Sequence, residues 1–305
     1  MNIAMIGPEV EGRLRWQGLT DALEAGHRLP RAIIGDTLLA QGNRRLLSRS
    51  AWIAGMGLAV KSATIFPDNP ALGRASVNGA VTLFSEATGE LEALVDFTLV
   101  TKWKTAGDSL LAARRLARPD SRVILLVGAG AVARSMVEAY GAAFPGAQFM
   151  VWNRSAEGAS RFAAQVPGMT IARDLAEAVA AADIICTATM STAPLIRGDW
   201  LSPGTHLDLI GAYTPEMREV DDRALQRARL FVDARETTLD HIGELKIPLA
   251  QGAIRREDVQ GDFYDIAGGG FRRGSASEIT IAKNGGGAHL DLMTARYILG
   301  VARGT

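Results

Sequence analysis

The run at residues 123–140, VILLVGAGAVARSMVEAY, constrains this chain more than any other segment. An apolar, β-prone stretch leads directly into Gly128-Ala129-Gly130-Ala131-Val132-Ala133, and a pattern of helical period follows. This is the G-x-G-x-x-A form of a dinucleotide-binding turn. The first glycine permits the tight strand-to-helix turn, the second admits backbone close to a pyrophosphate, and the small Ala133 lets the helix pack on the sheet. The helix N-terminus then faces the phosphate charge. In a chain with 33 glycines the spacing alone carries little weight, so the flanking elements decide the matter. A second strand, Gln148–Trp152, ends where a ribose-reading residue belongs, about 20 residues past the turn. The pattern predicts a nicotinamide or flavin nucleotide site.

The 305 residues are enough for two domains with substantial cores. Basic and acidic residues balance at 33 each, so no global field would recruit nucleic acid or an anionic membrane. Arg114, Arg115 and Arg118 read as the solvated end of a helix. The single cysteine, Cys186, lies in an apolar run and reads as a buried strand residue. The opening MNIAMIGPEVEG lacks the basic region and cleavage site of a secretory leader, and no uncharged run approaches bilayer length. The four histidines show no metal-ligand spacing, so no metal is expected. These features predict a cytoplasmic protein.

The chain has no internal repeat. MNIAMIG lacks the G-x-G spacing and reads as the opening of a separate, substrate-side domain. Residues 58–96 alternate apolar and β-branched runs with short polar turns, which predicts antiparallel sheet. A helix is expected from Thr105, ending at Pro119, with Thr105 either capping it, the favoured role, or offering its hydroxyl to a bound anion. Beyond it, strands at Val123–Val127, Gln148–Trp152, 184–188, 206–210 and 229–232 alternate with helices at 131–144, 156–164 and Leu175–Ala181. That alternation predicts a parallel, doubly wound sheet with right-handed crossovers. A last strand, a glycine turn and a final helix close the chain. The expected fold class is α/β: a Rossmann domain over residues 116–287, plus an α+β domain with antiparallel sheet over 1–115 and 288–305.

At the tip of the second Rossmann strand stand Asn153, Arg154 and Ser155. No carboxylate is present to repel a 2′-phosphate, while Arg154 can pair with one, so NADPH is expected in preference to NADH. Glu219 and Asp221, after Pro215, read as helix-start caps.

Four further strings surround the turn in a distinctive order: VKSATIFPDN (60–69), VTKWKTAGDS (100–109), DLIGAYTPEMREVDD (208–222) and ITIAKNGGGAHLDL (279–292). With GAGAVA and WNRS, they make the chain similar to the ornithine cyclodeaminase and mu-crystallin family over nearly its whole length. Within it, the chain most resembles the bacterial reductases of Δ1-pyrroline-2-carboxylate and Δ1-piperideine-2-carboxylate. The resemblance implies a substrate-binding and dimerisation domain, a homodimer, and a substrate cleft against the nucleotide domain. It implies that Lys61 contacts the substrate carboxylate. Lys104 stands where many members carry arginine, exchanging a bidentate fork for a point charge. Arg45 and Arg49 are both candidates for a further carboxylate-binding arginine. Anchoring the one fixed anion of a small α-imino acid would hold its C2 over a nicotinamide. The expected cofactor contacts are Gly128, Gly130, Ala131, Val132, Asn153, Arg154, Ser155, Thr187, Gly211, Asn284 and Gly285.

The chief departure from the family is at Tyr213, where ornithine cyclodeaminases carry an aspartate in a G-A-D stretch. A phenol is a poor base at neutral pH, and cyclodeamination needs a substrate ammonium deprotonated. Reduction of an imine needs the opposite, a proton supplied to nitrogen from solvent or Lys61. Tyr213 either donates a hydrogen bond to the substrate or packs in the cleft. The expectation is thus an NAD(P)H-dependent cyclic-imine reductase with a small imino acid as substrate. Ornithine cyclodeaminase with bound NAD, and a non-catalytic NADPH-binding protein of crystallin type, are the alternatives.

Overall fold

Two hairpin-linked runs of alternating residues set the architecture of the first part of the chain. The computed structural model describes residues 3–304; Met1, Asn2 and Thr305 lie outside the described residues. After a short strand β1 (Ala4–Ile6) and helix α1 (Trp16–His27) come five consecutive strands: β2 (Ile33–Gln41), β3 (Arg44–Ile53), β4 (Gly57–Ile65), β5 (Val77–Phe84) and β6 (Leu91–Asp96). They form a six-stranded sheet in the order β1-β6-β5-β4-β3-β2, antiparallel except where β1 joins β6 in parallel. The opening segment is therefore no Rossmann strand. The final helix, Ala288–Arg303, packs against α1 and strands β3, β4 and β5. Leu19, Leu23, Leu290, Met293 and Ile298 from the helices, and Ile53, Val81, Leu83 and Val95 from the sheet, are buried. Each such side chain removed from water contributes about 1.5–3 kcal/mol before ordering costs are subtracted.

Strands β2 and β3 escape a reading that starts strand at Leu58. Their signal was the Gly42-Asn43 pair, with Gly42 at φ +59° turning the chain between two runs that pair from Ile33↔Trp52 to Gln41↔Arg44. The apolar alternation is weak there because Ile33, Leu38 and Leu39 are exposed.

Helix α2 (Phe97–Leu116) begins eight residues before the expected start at Thr105. Asp96 supplies the N-terminal acceptor, its Oδ1 receiving the backbone N–H of Leu99 at 2.6 Å. The β-branched Thr98, Val100 and Thr101 disguise this turn as strand. Thr105 is therefore no cap, and Lys104 lies well inside a helix.

The chain divides into two compact units, Met1–Lys104 with Gly287–Thr305 and Thr105–Gly286. The second is built on an eight-stranded parallel sheet. In chain order it contains β7 (Val123–Val127), α3 (Ala131–Ala143), β8 (Gln148–Trp152), α4 (Ala156–Gln165), β9 (Thr170–Ile171), α5 (Leu175–Ala181), β10 (Ile184–Thr187) and β11 (His206–Leu209). Then follow α6 (Asp222–Arg227), β12 (Ala228–Val232), α7 (Arg235–Thr238), α8 (Gly243–Ala250), β13 (Val259–Gly261) and β14 (Ile279–Lys283). The strand order is β13-β12-β14-β11-β10-β7-β8-β9, every pair parallel. Succession runs one way from β7 through β8 to β9 and the other way through β10, so the switch point lies between β7 and β10. In a doubly wound sheet that is where ligands bind. The doubly wound Rossmann sheet and the separate antiparallel sheet are as the sequence predicts; the short edge strands β9 and β13 are additions. Cys186 is buried on β10, where burial and nearby Asp208 push its thiol well above its ordinary pKa.

Candidate active site

At the switch point the turn after β7 is shaped by two glycines with different duties. Gly128 has φ +110°, and a Cβ there would meet the Ala188 carbonyl oxygen at 2.6 Å, so both backbone and packing demand glycine. Gly130 has an ordinary extended backbone, and a Cβ there would meet no protein atom within 4 Å. Among the described residues nothing requires glycine at 130, and the space beside it is open to a ligand. Gly130 also caps α3, whose N-terminus receives no side-chain acceptor, leaving its first N–H groups to bind an anion. Ala131 and Val132 form that first turn, and Val132 is exposed.

These groups open on a cavity of about 740 Å³ lined by Gly128–Gly130, Trp152–Arg154 and Ala188–Ser191, among others. Arg134 of α3 and Arg161 of α4 line it beside Arg154. The sequence reading missed both, although they stand at helical positions just after the two phosphate-facing turns. Asn153 donates to the Ser155 carbonyl at 3.1 Å, and Ser155 caps α4 by accepting the Gly158 N–H at 3.2 Å. The site fits a dinucleotide: an open helix N-terminus, space kept clear at Gly130 and an arginine-rich end.

Behind the cavity lies a buried polar network that the sequence reading did not find. Glu219 is no helix cap. It is fully buried, and its carboxylate accepts from the Thr187 hydroxyl (2.8 Å), the Thr189 N–H and hydroxyl (2.9 and 2.8 Å), and the N–H groups of Gly211 and Ala212 (2.9 and 3.1 Å). It thereby ties the loop after β10 to the loop after β11. Gly211 is obligatory here, since a Cβ would stand 2.3 Å from Glu219 Oε1. Asp221, by contrast, does cap α6 through the Ala224 N–H at 2.8 Å. Glu244 accepts the N–H groups of Glu219 and Val220 at 2.8 and 3.1 Å. Burial, and then the Glu219 charge, raise its pKa to about 7. Lys283 ends β14 wholly buried, donating to the carbonyls of Leu209, Ala212 and Asn284 at 2.7, 2.7 and 2.8 Å.

The Asn284 amide points into the interior. It donates to Asp208 Oδ1 at 2.6 Å and to the Ser109 hydroxyl at 2.9 Å, while Tyr140 donates to Asp208 Oδ2 at 2.7 Å. Burial raises Asp208 to about 6 against these donors. Thr187 likewise spends its hydroxyl on Glu219, and the residues that follow it, Ala188 and Thr189, are the ones that line the cavity. Gly285 packs against Thr237 and Thr238, and Asp233 accepts the Gly286 N–H at 2.5 Å, holding the glycine loop. Tyr213 is exposed in the loop between β11 and α6.

In the first unit, Lys61 sits in β4 with its ammonium 2.9 Å from Asp291 and 4.9 Å from the Phe97 ring centroid. Arg49 of β3 stands directly opposite Lys61 in register, whereas Arg45 pairs opposite Ile65 and bonds to carbonyls at the hairpin end. The structure thus places Arg49, and not Arg45, beside the lysine. Lys104 is buried, and Lys61 largely so. Burial depresses the Lys61 pKa, Asp291 raises it, and Lys104 and Arg49 lower it again. Such a cluster of weakly solvated cations can bind a small carboxylate. Among the described residues no cluster of His, Cys, Asp and Glu is arranged to hold a metal ion, and no helix is long and apolar enough to cross a membrane.

Comparison with known proteins shows what the chain is similar to. The model of the ornithine cyclodeaminase/mu-crystallin family matches residues 41–305. The Δ1-pyrroline-2-carboxylate reductase of Paracoccus denitrificans is 50% identical over 302 residues, covering 97% of this chain and 96% of its own. The ketimine reductase mu-crystallin of Mus musculus is 33% identical over 79% of this chain and 75% of its own. Among solved structures, the Δ1-pyrroline-2-carboxylate reductase of Thermococcus litoralis, in complex with NADH and L-proline, matches with a TM-score of 0.89 at 25% identity, covering 99% of this chain and 98% of that one. By sequence and by fold, this chain belongs to the ornithine cyclodeaminase/mu-crystallin family.

Proposed function

We propose that the protein catalyses NAD(P)H-dependent reduction of a small cyclic imino acid, Δ1-pyrroline-2-carboxylate or Δ1-piperideine-2-carboxylate, to L-proline or L-pipecolate. The observation that carries this reading is the largely shielded Lys61, set beside Arg49 and Lys104 in a chain half identical to a named reductase of this imine. Lys61, with Lys104 and Arg49, grips the substrate carboxylate and fixes the orientation of C2. Gly130 and the open N-terminus of α3 hold the pyrophosphate, and Glu219 holds the loops after β10 and β11 that shape the cavity. When bound, the reduced nicotinamide supplies the hydride. The imine nitrogen gains a proton, from solvent or from Lys61, and no step calls for a base to deprotonate an ammonium. That agrees with a tyrosine at 213, and it tells against ornithine cyclodeamination.

Arg154, with Arg134 and Arg161 lining the same cavity, favours a 2′-phosphate, so NADPH is the preferred cofactor and NADH the poorer one. We read the active protein as a cytoplasmic homodimer; the exposed Ile33, Leu38, Leu39 and Trp52 on the β2–β3 hairpin suit burial against a second copy. The test is consumption of NADPH and of NADH with each imine, for wild type and Lys61→Ala. Rapid imine-dependent consumption that Lys61→Ala raises in KM supports the reading. Absence of imine turnover, with ammonia released from L-ornithine, overturns it.

A further inference from the structure

Lys61 has a partner whose purpose the proposed reaction does not by itself explain. Asp291 lies in the first turn of the C-terminal helix, its side chain 2% exposed, and its Oδ1 is 2.9 Å from Lys61 Nζ. Several elements around the lysine contribute a titratable or charged group, although β5 places only Val81 opposite it. Arg49 faces it from β3, itself paired with Asp36 of β2 at 2.9 Å. Lys104 approaches from α2. His289 lies on the same helix as Asp291, its ring edge-on to that of His27 from α1 at 5.5 Å. Burial, followed by His27 and Lys104, holds His289 neutral. Asp291 thus answers Lys61 and Asp36 answers Arg49.

A lysine taken out of water beside two other cations sheds its proton unless something opposes it. A neutral lysine has nothing to offer a carboxylate. We propose that Asp291 is a positioning residue, which keeps Lys61 cationic and aimed so that the imino-acid carboxylate meets a charged anchor. The inference rests on the substrate reading above. The rival account makes Asp291 only a favourable charge at a helix N-terminus.

The two accounts separate in the pH dependence of KM for Δ1-pyrroline-2-carboxylate. In acidic buffer Lys61 is protonated in either case, so Asp291→Asn should match the wild-type KM. With rising pH the variant should lose the anchor first, its rise in KM displaced downward by about one to three pH units, with kcat little changed. Asp291→Glu should restore the wild-type curve. Overlaid curves, or a constant offset at every pH, would overturn the proposal.

Thermal melting supplies a readout that needs no turnover. The melting deficit of Asp291→Asn should narrow as pH rises, because a deprotonated Lys61 no longer needs a counter-charge. The double variant Lys61→Met/Asp291→Asn should melt above Lys61→Met alone, which strands a buried carboxylate. If wild type reduces neither imine, the functional reading fails by itself. The melting comparison still decides the pairing: a deficit independent of pH overturns it.

Discussion

The carboxylate of Glu219 accepts the backbone N–H of Gly211 at 2.9 Å, at a position where any side chain on residue 211 would strike that same carboxylate. The two residues specify each other. Through Thr187 and Thr189 the same carboxylate also fixes the wall of the nucleotide cavity. Glu219→Gln keeps the volume but turns an amide NH2 toward groups that need an acceptor. Each buried donor left unpaired costs about 1–3 kcal/mol, so the melting temperature should fall clearly. The KM for dinucleotide should rise more than the KM for imine. An unchanged dinucleotide KM would show that the loops hold their shape without this carboxylate.

Gly128 and Gly130 should part company on substitution. Gly128→Ala forces a Cβ against the Ala188 carbonyl at a left-handed φ, which should cost about 1–3 kcal/mol. The Cβ of Gly130→Val meets no described protein atom within 4 Å, so its stability should stay within about 0.5 kcal/mol of wild type. Yet dinucleotide binding, followed by titration, should be nearly abolished. Full-strength binding by a stable Gly130→Val would show that the pyrophosphate lies elsewhere.

Arg154 makes cofactor choice testable. Removing a charge-assisted hydrogen bond costs about 1.5–3 kcal/mol, roughly ten- to a hundredfold in affinity. Arg154→Ala should therefore weaken NADPH by that factor and leave NADH nearly untouched. Equal losses for both would assign Arg154 to a part of the cofactor that the two share.

The raised pKa of Glu244 fixes the sign of a pH effect. Its folded-state value, about 7, lies above the ordinary 4.5, so the folded protein binds the proton more tightly than the unfolded chain. Stability from this group is greatest below about 4.5 and declines as pH rises toward 7. The difference in melting temperature between wild type and Glu244→Gln should trace that decline and flatten above it. A flat difference across the window would mean that Glu244 is ionised throughout.

The sequence exposed the nucleotide half of the protein most clearly, because a parallel strand buried on both faces must be apolar. Val123–Val127, Gln148–Trp152 and Leu175–Ala181 lie where periodicity alone puts them. What it concealed follows from the same logic. Asp208 lies within and Lys283 ends a buried strand, and Glu219 and Glu244 sit in loop and helix, yet charged residues are ordinarily read as solvated. Only tertiary contact shows that Lys283 and Glu244 are satisfied by backbone groups, and Asp208 and Glu219 by nearby hydroxyl, amide and N–H donors. The hint for Lys283 was placement: a charge directly after the β-prone run ITIA. The start of α2 was misread because its first turn is β-branched, although Asp96 stood ready as its cap. Lys61 was legible as a charge inside an apolar strand; its partner Asp291, 230 residues away, was not.

The most direct test follows the hydride. With NADPH carrying deuterium at the transferable position and Δ1-pyrroline-2-carboxylate as substrate, the account predicts L-proline bearing one deuterium at C2, formed in step with NADPH consumed. Proline formed from L-ornithine with release of ammonia, and no deuterium transferred to imine-derived product, would contradict it.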